Sequence, residues 1–96
     1  MASSAQLIEA LCKMIRTSPV PIPITLKNHT VEEAVLMIGA VVERCREEQI
    51  PLKEVFVDPE LAAELGLVDG KVLSHGDHPT IRCEPGLGRQ VRFHRD

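Results

Sequence analysis

Four side chains able to hold a metal fall within nine residues: His75, Asp77, His78 and Cys83. Imidazole nitrogen and thiolate sulfur are good zinc ligands. The spacing H-x-x-H-x4-C corresponds to no finger pattern, however, and the alternation around Ile81 turns Cys83 toward a core while the histidines ride on a loop. Zinc is thus the sharp reading of a segment that an exposed polar turn also explains. His75, Asp77 and His78 could also do acid–base work, since a carboxylate holds an imidazole in one tautomer. No nucleophile accompanies them: Ser74 lacks the flanking glycines of a nucleophile elbow. Asp58 and Glu60 are accounted for by helix capping, so no paired-carboxylate site remains. No residue is assigned a catalytic role.

The second chemistry is cationic. Net charge is −3, but residues 1–70 hold 6 Lys/Arg against 11 Asp/Glu, while residues 71–96 hold 5 against 3 and three of the four histidines. With Val91 and Phe93 turned inward, Arg92 and His94 point outward beside Arg82, and Arg89 and Arg95 lie at the two ends. Arginine clamps phosphates well, and a two-stranded ribbon can enter a nucleic-acid groove. Against this stand Asp77 and Glu84 nearby, and too few cations for 6–10 phosphate contacts. Pro85-Gly86-Leu87-Gly88-Arg89 lacks the G-x-G-x-x-G and GK[ST] patterns and precedes a strand, so no helix N-terminus awaits an anion there.

These candidates hang on a helix expected over 30–49. Thr30 and Glu33 form a capping box, and Val31, Ala34, Val35, Ile38, Val41, Val42 and Cys45 make one apolar stripe. Leu36, Met37, Gly39 and Ala40 add apolar surface off that stripe. The first half of the helix therefore requires cover on two sides, from the chain's first helix or from a partner subunit. Leu36, Met37 and Ala40 become the candidate interaction surface.

The remaining elements follow in order. A helix is expected over 3–17, with Ser3 or Ser4 as cap and Leu7, Ile8, Leu11, Cys12 and Ile15 on one face. In a strand over 20–27, Pro19, Pro21 and Pro23 alternate with Val20, Ile22 and Ile24, which removes the N–H groups along one side and predicts a shielded edge. A strand over 53–58 completes a βαβ unit, so the two strands should run parallel. Asp58-Pro59 caps a short helix over 59–65, and Gly66 ends it. Strands over 71–74, 80–84 and 90–94 follow, the last two read as a hairpin with one apolar and one polar face. The stretch Pro59–Leu73 resembles a helix–glycine–turn–strand element of several small β-barrel families, among them the swapped-hairpin transcription factors and the pterin-dinucleotide domains of molybdenum enzymes. The likeness covers about 15 residues, rests on Leu65, Gly66, Leu67 and Gly70, and implies a local corner only.

Ninety-six residues allow one domain, and 44% hydrophobic content suffices for its core. Phe56 and Phe93 are the only aromatics, which disfavours a stacking platform for single strands. Cys12, Cys45 and Cys83 form no CxxC pair, the N-terminal apolar run is broken by Gln6, Glu9 and Lys13, and no run spans a bilayer. The expected setting is cytoplasmic, with no membrane and with thiols serving as small core hydrophobes. The expected architecture is α+β: a two-layer α/β sandwich holding a βαβ unit, a C-terminal β-hairpin and a mixed sheet of four or five short strands. The expected role is a small non-enzymatic protein-interaction module with a protein partner or itself, as a homodimer. Nucleic-acid or anion binding through the arginine-rich tail is the alternative, and zinc a second.

Overall fold

The computed structural model describes residues 4–73 and 79–96. Along the chain lie α1 (Ser4–Thr17), β1 (Ile22–Thr25), α2 (Val31–Glu47), β2 (Leu52–Val57), α3 (Pro59–Leu65), β3 (Thr80–Cys83) and β4 (Gln90–Arg95). The strands form one mixed sheet in the order β1-β4-β2-β3. The fold class is the expected α+β one, with three helices and four strands among the described residues.

Local chemistry forms the helices where the sequence places them. Thr30 Oγ1 accepts from the Glu33 amide at 3.2 Å while Glu33 Oε1 accepts from the Thr30 amide at 3.3 Å, so the capping box of α2 is complete. The Asp58 carboxylate caps α3 through the Glu60 amide at 2.9 Å, Pro59 takes the first turn, and Gly66 closes it at φ +72°. Helix α2 ends less comfortably. The Ile50 amide reaches the Cys45 carbonyl at 2.8 Å, and Gln49 adopts the left-handed φ of +59° that such an ending favours in glycine.

One face of the sheet carries Ile22, Val55, Val57, Ile81, Val91 and Phe93 into a single core with Leu11, Cys12 and Ile15 of α1 and Ala34, Ile38, Val41, Val42 and Cys45 of α2. Leu61, Ala62 and Leu65 of α3 join it. The buried stripe is narrower than the sequence suggested. Leu7, Val20, Val31 and Val35 stay exposed, Val35 at 41%. Only five positions of α2 are covered, because α1 and α3 flank a limited arc of its surface.

One expectation about pairing holds and one is corrected. Strands β1 and β2 run parallel, as the βαβ reading requires, but β4 is inserted between them and is antiparallel to both. Strands β3 and β4 form no hairpin ladder with each other, because β2 lies between them, parallel to β3. The cause is the connection over 84–89. The Glu84 amide donates to the Val57 carbonyl at 2.9 Å, and Gly86 and Gly88 donate to Asp58, so the loop is carried across the end of β2.

Both sheet edges are closed to further pairing. On β1 the Leu26 amide donates to the Arg89 carbonyl at 2.8 Å, which turns positions 22, 24 and 26 toward β4 and leaves Pro21 and Pro23 facing out without N–H groups. This is the shielded edge expected from the prolines. On β3, Ile81 exchanges hydrogen bonds with Gly70 and Lys71 at 2.7 and 2.8 Å. The strand expected over 71–74 reduces to one bridge between Val72 and Thr80, with Ser74 outside the described residues.

Candidate functional site

Pleating puts Val55 and Val57 in the core and turns Glu54 and Phe56 to the other side of β2. Phe56 is registered with Arg82 on one neighbour and Arg92 on the other, and Arg92 is registered with Pro23. The outer sheet face thus carries a row Arg82–Phe56–Arg92–Pro23. A second row beside it holds Thr80, Glu54 and His94. The Arg82 Nε–H donates to Glu54 Oε2 at 2.8 Å, and the Arg92 Nε–H to Gln90 Oε1 at 2.9 Å. The Phe56 and His94 rings lie 6.3 Å apart, tilted by 37°, and the shielded Nδ1 of His94 has no hydrogen-bond partner among the described residues.

Of the five cationic candidates, the sheet brings three together: Arg82, Arg92 and His94. Arg89 turns away to Glu64 of α3 at 2.7 Å, and the Arg95 Nε–H donates to the Ser18 carbonyl at 2.9 Å. Phe56, which sequence reasoning left without a role, sits at the centre. Its signal was present in the alternation of β2, which places it opposite Val55 and Val57.

The interaction candidates also converge. Leu36, Met37 and Ala40 of α2 line a hollow of about 280 Å³ together with Ile8 of α1 and with His29 and Glu33 at its rim. Leu36 is 72% exposed, while Met37 is half-buried against the core. The shielded Nδ1 of His29 has no hydrogen-bond partner among the described residues. Glu33 is held below its ordinary acidity range by the Thr30 side chain and then by the Thr30 backbone. Ile8 and His29 reach this hollow by tertiary packing, and nothing in their sequence surroundings announces it.

The glycine-rich turn binds an anion after all, and the anion is internal. Asp58 Oδ2 accepts from the amides of Gly86 at 3.0 Å and Gly88 at 3.2 Å, both glycines at positive φ. The Glu60 amide foremost, then those of Gly88, Gly86 and Leu87, hold the Asp58 carboxyl below the usual carboxylate range. A hollow of about 600 Å³ opens beside this clasp, and the Arg89–Glu64 pair at its wall leaves those charges matched.

Of the metal candidates, His75, Asp77 and His78 lie outside the described residues. Cys83 is half-buried against the core, and its amide donates to the Asp69 carboxylate at 2.9 Å. No helix among the described residues is long and apolar enough to cross a membrane. Comparison with family models, with curated proteins and with solved structures gave no match to this chain.

Proposed function

We propose that this protein is a non-enzymatic contact module that pairs with a second copy of itself through the α1–α2 hollow. The observation that carries the reading is Leu36, a large aliphatic 72% exposed on the rim of an apolar hollow lined by Ile8, Met37 and Ala40. Projection and recess lie side by side on one surface, which is the arrangement a two-fold contact uses: each copy's Leu36 enters the other's hollow. The rim residues suit the same operator, since His29 of one copy can face Glu33 of the other. Sedimentation velocity across the micromolar range tests it, with a concentration-dependent species of twice the 10.6 kDa chain mass expected. Leu36→Asp returns the protein to the monomer. A wild-type monomer throughout that range sinks the reading.

A second reading rests on a different surface. The register that sets Phe56 beside Arg92 offers a short single-stranded nucleic acid one ring to stack on and, for a phosphate, one guanidinium without a carboxylate partner among the described residues, Arg82 being paired with Glu54. Fluorescence anisotropy with labelled oligonucleotides at low salt tests it. Phe56→Ala and Arg92→Glu should each abolish the signal while leaving sedimentation unchanged, and no anisotropy change for the wild type ends it.

A further inference from the structure

Cys12 and Cys45 meet where α1 crosses α2. Their Sγ atoms are 3.6 Å apart, both side chains are buried, and 33 residues separate them in the chain. They differ in access. Cys12 lines a hollow of about 160 Å³ bounded by Glu9, Lys13, Arg16, Arg44 and Glu48, whereas Cys45 is completely enclosed. A disulfide requires an S–S separation near 2.05 Å, so closure takes up about 1.5 Å.

We infer that Cys12 and Cys45 form an oxidation site, a thiol pair that hydrogen peroxide entering the α1–α2 hollow converts into an intramolecular disulfide. Cys12 gives up its proton to solvent, and the thiolate attacks one peroxide oxygen. The O–O bond breaks, hydroxide leaves and takes up a proton as water, and Cys12 becomes a sulfenic acid. The Cys45 sulfur then attacks the Cys12 sulfur. The S–O bond breaks as the S–S bond forms, and the departing hydroxide carries off the Cys45 proton as a second water. Two thiols are oxidised by two electrons and one peroxide is reduced.

The assignment of Cys12 as the attacking sulfur follows from its place on the hollow. Burial raises its thiol above the ordinary range; the contact with Cys45 and the guanidinium groups of Arg44 and Arg16 oppose that rise, while Glu48, ion-paired with both arginines, adds to it. At Cys45 burial dominates, and the neighbouring Cys12 adds to it, pushing the thiol up to about 12. Cys45 is therefore suited to the resolving step, in which it meets an activated sulfur already in contact. The product ties α1 to α2 without engaging Cys83, which stands on β3.

The test treats the intact protein with hydrogen peroxide, then denatures it and alkylates every remaining thiol before mass spectrometry. One alkyl group is expected instead of three, on Cys83, together with a loss of about 2 Da and a peptide linking positions 12 and 45. Cys83→Ser should give the same cross-link with no alkylation, and it leaves the pair itself untouched. Cys12→Ala should retain two alkylatable thiols, whereas Cys45→Ala should retain Cys83 alone, with Cys12 left as an unresolved sulfenic or sulfinic acid. Three alkylated cysteines after peroxide exposure that fully oxidises a free thiol control would overturn the inference. So would a cross-link through Cys83, or Cys12 driven to sulfinic acid with Cys45 still reduced.

Discussion

The Asp58 carboxylate and the Gly88 amide, 30 residues apart in the chain, are joined by a 3.2 Å hydrogen bond that carries the last loop over the end of β2. With the bonds from Gly86 and Glu60, one side chain caps a helix and fixes which strands are neighbours. The glycines matter here for their backbone. Gly86 at φ +93° and Gly88 at +61° turn two amides toward one oxygen, a conformation that costs other residues strain.

This clasp gives stability a specific pH dependence. The folded carboxyl of Asp58 titrates below its unfolded value of about 3.9. Its contribution is therefore complete above that unfolded value and is lost as pH falls through the folded one. Asp58→Asn keeps one acceptor but loses the charge. Its urea midpoint should lie below the wild type's at neutral pH, and the gap should close as the buffer becomes more acidic than about pH 4. A gap that stays constant would mean that the loop is held by other contacts.

Ile38 and Val35 lie on one turn of α2, yet only Ile38 is buried. Ile38→Ala should cost about 2–5 kcal/mol in urea denaturation, through lost burial and the cavity left behind. Ile38→Asp should leave the chain unfolded, because an unpaired charge would enter the core. Val35→Asp should cost less than about 1 kcal/mol. Equal losses at the two positions would refute the narrow stripe.

Gly39 within α2 and Gln49 just beyond its end stand where a different residue would be more stable. Gly39 is exposed in the helix interior, and a methyl group there would meet nothing within 4 Å. Gln49 holds the left-handed φ of the helix ending. Gly39→Ala and Gln49→Gly should each add roughly 0.5–1 kcal/mol. The two positions are well separated, so the effects should sum in the double variant. Thermal midpoints check both.

Pro23 of β1, with Pro21 just before it, should keep the sheet from adding strands. Pro23→Val restores an outward N–H on the exposed edge. In a Leu36→Asp background, which removes the proposed two-fold contact, light scattering should show slow association for Pro23→Val and none for the parent. Equal scattering would show that the edge needs no such protection.

Much of this molecule is legible from neighbours in the chain. Thr30 with Glu33, and Asp58 with Pro59, locate two helix starts because a cap needs only residues two or three apart. Alternation assigns the faces of β2 and β4, and therefore the outer position of Phe56. Strand partners are less legible, since ladder bonds join backbone to backbone and carry no side-chain signature. The expected hairpin failed for that reason: Ile81 and Val91 each show an inward face, but neither says that Val55 and Val57 lie between them. The thiol contact and the hollow around Leu36 depend on how α1 crosses α2, which periodicity does not encode.

The order β1-β4-β2-β3 sets the timing of folding. Strand β4 comes last in the chain and occupies an inner place, so Ile22 and Val55 both wait for Phe93. Until then β1 has no ladder partner, and an early intermediate can contain only the helices and the β2–β3 pair. Closing such long loops before any sheet contact is gained slows folding. The slow step should be the docking of β4 on β2, which creates the edge on which β1 can then pair.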